Sequence, residues 1–331
     1  MSLISPDPIK SPNEQDLLEA YPLAMDIDKG LTAHAKYVSS KYFYDDQGSQ
    51  LFQQIMQMPE YYPTDCEFEI LSLQSESIME ALSFEGAFNI VELGAGDGIK
   101  SRQLLKTLLD KGVRFTYVPI DISEQAIADL KKNMLDALPD LDIKPLVGDY
   151  FAMMDRISEM GLPSLIMFLG SNIGNYPDQA ANELLKHFHS AMNPGDRLLI
   201  GMDLQKNPRI IQLAYDDPHG ITRSFNLNLL NRLNRELEAN FHTSHFDFYC
   251  HYDPVAGEVR SYLVSLKEQV ITSNLLSKSY YFKANELIWT ELSKKYTLPQ
   301  IDHMADINGF KVSQYFLDCK HYFVDSLWTR L

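Results

Sequence analysis

Between residues 88 and 204 the chain alternates short apolar runs with stretches of helical periodicity. The runs are FNIVEL (88–93), FTYVPI (115–120), IKPLVG (143–148), SLIMFLG (164–170) and DRLLIGMDL (196–204). Helices are predicted over 98–110, 123–136 and 178–192. Strands apolar on both faces must be covered on both faces, which calls for a parallel sheet between two helix layers. An α/β fold follows. Near the end, GFKVSQYFLD and HYFVDSLW are joined by a tight turn. They are expected to close the sheet edge as a hairpin, with one of the two running antiparallel.

Residues 206–295 separate the fifth strand from these closing elements, and that is too long for a loop. The segment carries its own helices (206–214 and 222–238) and the alternating strands FDFYCHYD, EVRSYLVSL and SYYF. Upstream, helices are predicted over 48–58 and 64–82. The expected organisation is a sheet domain over 66–205 and 296–331. A second, discontinuous α+β substrate domain spans 1–65 and 206–295. Residues 1–12 are rich in Pro and Ser and read as a loose lead-in.

The formal charge of −16 disfavours phosphate backbones and anionic membranes. The densest basic pairs, Lys131-Lys132 and Lys294-Lys295, make no patch. No nucleic-acid or membrane partner is expected. No apolar run approaches the roughly 18 residues of a membrane span, and MSLISPDPIKSP lacks the apolar region of a signal peptide. Three scattered cysteines, Cys66, Cys250 and Cys319, give no disulfide framework and suit a reducing compartment. A cytoplasmic monomer is expected. His242, His245 and the Cys250-His251 pair match no standard zinc spacing, so no metal is expected.

The most informative local stretch is IVELGAGDGIKSR. It sets Gly94, Gly96 and Gly98 at the end of the first strand, before a helix whose N-terminus offers free N–H groups. Asp121 ends the second strand, where a carboxylate can accept both ribose hydroxyls. Asp149 and Tyr150 end the third, where an acid and a ring suit adenine. Three such strand ends make a nucleoside site. The order Glu92-x-Gly94-x-Gly96-x-Gly98 is not the dinucleotide G-x-G-x-x-G, and a closing hairpin follows. Both features suit S-adenosylmethionine better than NAD.

The chain resembles the histidine-specific S-adenosylmethionine-dependent methyltransferases, the family of the ergothioneine-pathway histidine Nα-methyltransferase. The matching stretches are YFYDDQGSQLFQQI, PEYYPT, VELGAGDGIKSR, VPID, GDY, FLGSNIGN, AYDDPHGITRSFN and TELSKKY, covering about 41–331. The resemblance implies a class I, Rossmann-like methyltransferase fold: a mostly parallel seven-stranded sheet with a C-terminal antiparallel hairpin. It implies cofactor contacts at Gly94, Gly96, Lys100, Asp121, Asp149 and Tyr150. It implies that Asn175 and Tyr215 hold the carboxylate of a free amino acid, that Gly170 and Tyr44 lie near its amine, and that Tyr61 lines the imidazole end. Glu291 and Ser293 would then hold the ring. Tyr44 and Asn175 are the residues expected nearest the chemistry. Three positions depart from the family pattern: Asp65 stands where Arg is common, Ser261 where Met can occur, and Asn285 where Gly is common.

The residue types fit those roles. An amide at Asn175 and a phenol at Tyr215 can both donate to a carboxylate. Glu291 and Ser293 share a face if IWTELSKKY is extended, and diverge if it is helical. Of the four early tyrosines, Tyr42 and Tyr62 read as packing. The reaction implied is transfer of methyl groups to an α-amine, up to the trimethyl product. A tryptophan-like amine, or a non-catalytic sensor of the same ligands, stands as the alternative.

Overall fold

The computed structural model describes residues 22–148, 153–154, 156 and 158–331. The Pro/Ser-rich start, Asp149 and Tyr150 lie outside the described residues. The chain divides into two compact units. The larger comprises Met58–Ala214, Tyr252–Val259 and Leu292–Leu331; the smaller comprises Met1–Gln57, Tyr215–His251 and Arg260–Glu291.

The larger unit is built on a seven-stranded sheet. Its strands are β2 (Phe88–Leu93), β3 (Phe115–Asp121), β4 (Leu146–Val147), β5 (Ser164–Phe168), β6 (Arg197–Asp203), β12 (Phe310–Leu317) and β13 (Phe323–Arg330). The order is β12-β13-β6-β5-β2-β3-β4. β2 pairs in parallel with both β3 and β5, while β13 runs antiparallel to its neighbours β6 and β12. The predicted closing hairpin is therefore present, with β13 the reversed strand. Every residue of β2 and of β5 is buried, as two-faced apolar strands require. The core runs through Val91, Val118, Ile166, Phe168, Phe188, Leu198 and Trp328.

The strand order reverses at β2. Loops after β2 and β5 leave in opposite directions there, opening a crevice at the carboxyl ends of the strands. The glycine turn sits at this point.

Two expectations about single elements change. The strand predicted over 143–148 shrinks to Leu146–Val147, with a separate bridge from Tyr117 to Ile143. Pro145 has no N–H to give the ladder. The helix predicted over 64–82 is two helices, Tyr62–Leu73 and Ser75–Leu82. They meet at Gln74, whose side chain donates to the Leu317 carbonyl at 2.8 Å.

A second sheet is ordered β1-β11-β8-β7, with β1 Lys36–Tyr37, β7 Phe246–Asp253, β8 Glu258–Ser265 and β11 Leu287–Lys294. A separate hairpin pairs β9 (Gln269–Ser273) with β10 (Lys278–Phe282); β9 was not legible in the sequence. Two helices, Asp46–Met56 and Ile221–Leu237, meet at Asp45. Its carboxylate caps the first through Gly48 N–H at 2.8 Å, and accepts from Asn228 and Arg235 of the second at 2.8 and 2.7 Å. Burial would raise the Asp45 pKa, but these donors, Arg235 foremost, hold it below the usual range.

Candidate active site

The glycine triplet resolves into two roles. Gly94 and Gly96 have φ of 67° and 56°, and a Cβ at either would meet nothing within 4 Å. Their backbones border open space, as a turn that cradles a ligand must. Gly98 faces the other way: a Cβ there would run into Leu130 and Met134 of the helix Glu124–Ala137. It serves packing, the part of the fingerprint that needs close helix–strand approach.

Beside the turn, Asp121 ends β3 half-buried, and its Oδ1 accepts from Ser123 N–H at 3.1 Å. The next residue, Ile122, is 70% exposed, and Ile99 just past the glycine turn and Val147 at the end of β4 are exposed as well. An open glycine backbone, a carboxylate and an apolar rim along β2, β3 and β4 fit the adenosyl half of S-adenosylmethionine. No phosphate-binding cation is required.

Beneath the turn lies Glu92, 4% exposed, accepting a hydrogen bond from the Tyr117 hydroxyl. Burial pushes its carboxyl up to about 7, against the pull of the Tyr117 and Ser101 hydroxyls.

A second charged cluster joins the turn to the loop after β5. Lys100 pairs with Glu67 Oε2, and Glu67 Oε1 accepts from Gly170 N–H at 2.7 Å. Gly201 on β6 makes room for it, since a Cβ there would strike Glu67 Oε1. Burial works to lower the Lys100 pKa, but Glu67 outweighs it and the ammonium is held above its ordinary range. Asp325 on β13 is fully buried, and no N–H or cation donates to either oxygen. Burial, then the charge of Glu67, pushes its pKa well up. Asp325 thus sits against the Glu67–Lys100 pair, where burial and a like charge disfavour its ionised form.

The loop after β5 is held from two more sides. Ser171, at φ 55°, accepts from Asp203 N–H through its hydroxyl at 3.0 Å. Gly174 lies on the backbone of Lys294, where a Cβ would stand 2.7 Å from the carbonyl oxygen. The turn carrying half-buried Asn175 therefore packs against the segment that carries Ser293. That segment is extended, as β11, so Glu291 and Ser293 point to one side. Ser293 is buried, and its hydroxyl accepts from Lys295 Nζ at 2.8 Å. Lys295 pairs with Asp203 at 2.8 Å, and Asp203 also takes Lys206 and the Tyr62 hydroxyl. Burial would raise the Asp203 pKa, but Lys295 and Lys206 outweigh it and hold it low.

A family model described as histidine-specific methyltransferase, SAM-dependent, matches residues 23–330. The chain belongs to that family. It is a SAM-dependent methyltransferase.

Histidine N-alpha-methyltransferase of Mycolicibacterium smegmatis is 35% identical over 274 residues, 83% of this chain and 84% of that protein. Ergothioneine biosynthesis protein 1 of Schizosaccharomyces pombe is 30% identical over 83% of this chain, which spans 37% of that longer protein. The L-tryptophan methyltransferase trpM of Psilocybe serbica is 24% identical over 86% of each chain.

The methyltransferase carries its expected site residues in both units. Gly94, Gly96, Lys100, Asp121, Tyr61, Gly170, Asn175 and Ser293 lie in the larger. Tyr44, Tyr215 and Glu291 lie in the smaller. Tyr44 is 45% exposed and packs edge-on against Phe52 and Phe225 at 5.4 and 5.7 Å. Tyr61 is half-buried, and Tyr215 is buried with its carbonyl accepting from Cys250. Tyr42 and Tyr62 are buried, as packing residues should be. Tyr62 does more, since it joins the Asp203 network. Of the departures, Asp65 is exposed, Ser261 is buried, and Asn285 holds φ 64°, a left-handed conformation that Asn tolerates better than most residues. Among the described residues no group of three His, Cys, Asp or Glu is placed to hold a metal, and no helix is long and apolar enough to cross a membrane.

Sequence reasoning missed Glu67, Asp203, Asp325 and Lys295. One signal was available. Asp203 and Asp325 each interrupt an apolar strand at a position whose neighbours are all core, and a lone carboxylate there needs a partner.

Proposed function

We propose that this methyltransferase moves methyl groups from S-adenosylmethionine to the α-amino nitrogen of L-histidine, up to the trimethylated product. S-adenosylmethionine supplies a methyl group on a positively charged sulfur, which the neutral amine takes by in-line displacement. The chain's part is mostly positioning, with reacting atoms brought to about 3–3.5 Å.

Gly94, Gly96, Asp121 and Lys100 receive the cofactor, joined by Asp149 and Tyr150. Asn175 and Tyr215 donate to the substrate carboxylate, and Gly170 and Tyr44 border its amine. Tyr61 flanks the ring, Glu291 accepts a ring N–H, and Ser293 meets the other ring nitrogen. Phenol faces tolerate the growing ammonium through cation–π attraction of about 0.5–2 kcal/mol. The enzyme acts as a cytoplasmic monomer. Its three cysteines are all free thiols, in keeping with a reducing compartment.

The observation that carries this reading is the setting of Ser293. It is a buried hydroxyl on an extended T-E-L-S segment, tied through Lys295 to Asp203 at the carboxyl end of β6. A solvated surface pair would need no such anchoring. The buried, small Ser261 favours a second reading in which a larger ring, such as indole, is accepted.

The test is a mass-spectrometric screen of the proteinogenic amino acids with S-adenosylmethionine. Histidine should gain one to three methyl increments faster than any other, and Glu291→Ala should remove most of that preference. Faster methylation of tryptophan or another amine would overturn the assignment.

A further inference from the structure

Methyl transfer needs a donor held on one side and a lone pair held on the other, at a set separation. In the larger unit, three segments meet on one carboxylate. Glu67, from the helix Tyr62–Leu73, has a side chain with no water contact. Its Oε2 pairs with Lys100, which stands just before the helix Ser101–Asp110 that follows the glycine turn. Its Oε1 accepts from Gly170 N–H at 2.7 Å, on the loop after β5. An apolar residue of similar size would fill the space at equal or better stability, so stability alone does not call for a carboxylate there.

The backbone that Glu67 holds is strained. Gly170 and Ser171 both have left-handed φ values, 76° and 55°. Serine keeps that conformation only where its surroundings over-determine it. They do so here. The Leu169–Gly170 peptide is held at both ends: Glu67 takes its N–H, and Asn172 Nδ2 donates to its carbonyl at 2.9 Å. Ser171 Oγ accepts from Asp203 N–H at 3.0 Å. Lys100 lies against the same bend, since a Cβ on Gly170 would stand 3.7 Å from its Nζ.

We infer that Glu67 is a positioning residue for methyl transfer: one carboxylate fixes Lys100 on the donor side and the Gly170 peptide on the acceptor side, and so sets the approach of amine to methyl group. The inference rests on the proposed reading, which puts the cofactor at Lys100 and the amine at Gly170. A carboxylate has an oxygen for each partner. The amide of Gln has a single oxygen, so it serves the ammonium or the peptide N–H and turns its N–H₂ toward the other. One of the two segments is then released.

The test uses the full chain with Glu67→Gln, read by single-turnover methyl transfer to L-histidine, by steady-state kcat and KM, and by calorimetry with S-adenosylhomocysteine. The single-turnover rate and kcat should fall about 10- to 100-fold, the effect of a misplacement of roughly an ångström. KM for histidine should change by less than about threefold, because the loss lies in the transition state and not in binding. S-adenosylhomocysteine should still bind one per chain, and no more weakly than to wild type, since Lys100 keeps its charge and loses a competing anion. A folded variant with undiminished kcat would overturn the inference. So would a fall in kcat matched by an equal fall in the number of S-adenosylhomocysteine sites, which would make Glu67 a support of the fold only.

Asn172→Ala gives a second reading without disturbing a buried charge. It frees the carbonyl end of the same peptide, and kcat should fall about fivefold, the worth of one released hydrogen bond. Should Glu67→Gln fail to fold, Asn172→Ala decides, and an unchanged kcat would overturn the inference. A wild type that methylates another amine in preference to histidine would overturn the proposed substrate; the role of Glu67 stands if the same fall in kcat appears with that amine, and falls if it does not.

Discussion

Replacing Glu92 by Gln should make the protein's stability less sensitive to pH. In the folded chain the carboxyl is pushed from 4.5 up to about 7. A raised carboxyl pKa favours the fold below pH 4.5, and that advantage is lost as pH climbs through the folded value. At 1.36 kcal/mol per unit, the full cost of ionising Glu92 is about 3 kcal/mol. With those two pKa values, linkage puts about 1 kcal/mol of the loss below pH 5.5 and about 2 kcal/mol between pH 5.5 and pH 8. Glutamine keeps an oxygen for the Tyr117 hydroxyl and offers its N–H₂ to Ser101, so shape and hydrogen bonding survive. The assay is urea unfolding of both proteins across this range, comparing midpoints and m-values. The variant should gain about 2 kcal/mol relative to wild type on going from pH 5.5 to pH 8. A stability difference that does not change with pH would show that Glu92 is ionised in the fold without cost, and would refute the burial argument.

Three further outcomes follow from the same geometry. Burial and the charge of Glu67 disfavour an ionised Asp325, so Asp325→Asn should shift stability by no more than about 1 kcal/mol; Glu67→Gln removes the counter-ion of the partly exposed Lys100 ammonium and should cost about 3 kcal/mol. Denaturation of the two variants side by side checks the contrast, and equal losses would count against a proton on Asp325. Gly174→Ala drives a methyl into the Lys294 carbonyl and should cost about 1–3 kcal/mol, with a fall in kcat/KM from displacement of Asn175, read by steady-state kinetics. Asp121→Ala should weaken S-adenosylhomocysteine binding about 10- to 100-fold, the worth of hydrogen bonds from ribose to a charged acceptor, measured by calorimetry.

Most of the sheet was legible because β2, β3, β5 and β6 are apolar on both faces and are spaced by helical periods. That pattern has few other solutions. β4 was overestimated because Pro145 breaks pairing at a sheet edge without breaking the apolar pattern. β9 was missed because QVITS is short and polar outside Val270 and Ile271, and its pairing is local to one hairpin. The cofactor turn was legible as a motif, but its division of labour was not. Gly94 and Gly96 border open space while Gly98 packs on Leu130 and Met134, residues more than thirty positions away in the sequence. The extended state of the T-E-L-S segment was ambiguous locally, since its residues suit helix and strand alike. Pairing of β11 with β1 and β8 decides it, and such pairing has no local signature.

The two ionic clusters at the carboxyl end of the sheet explain how a site built from loops is kept rigid. Glu67 binds Lys100 on the glycine-turn side and Gly170 on the β5 side. Asp203 binds its neighbour Lys206, Tyr62 from the preceding helix and Lys295 from the end of β11, while its backbone N–H reaches Ser171. Each buried carboxylate therefore fastens several segments at once, and at the second the backbone adds a bridge between Leu204 and Tyr296. Hydrophobic residues of similar volume could fill either space at equal or better stability, but they would leave loop registers unspecified. Opposite charges with fixed hydrogen-bond directions specify them. The cost in desolvation falls on the sheet; on the proposed reading the benefit appears at Gly170, Asn175 and Ser293, where an error of an ångström would separate amine from methyl donor.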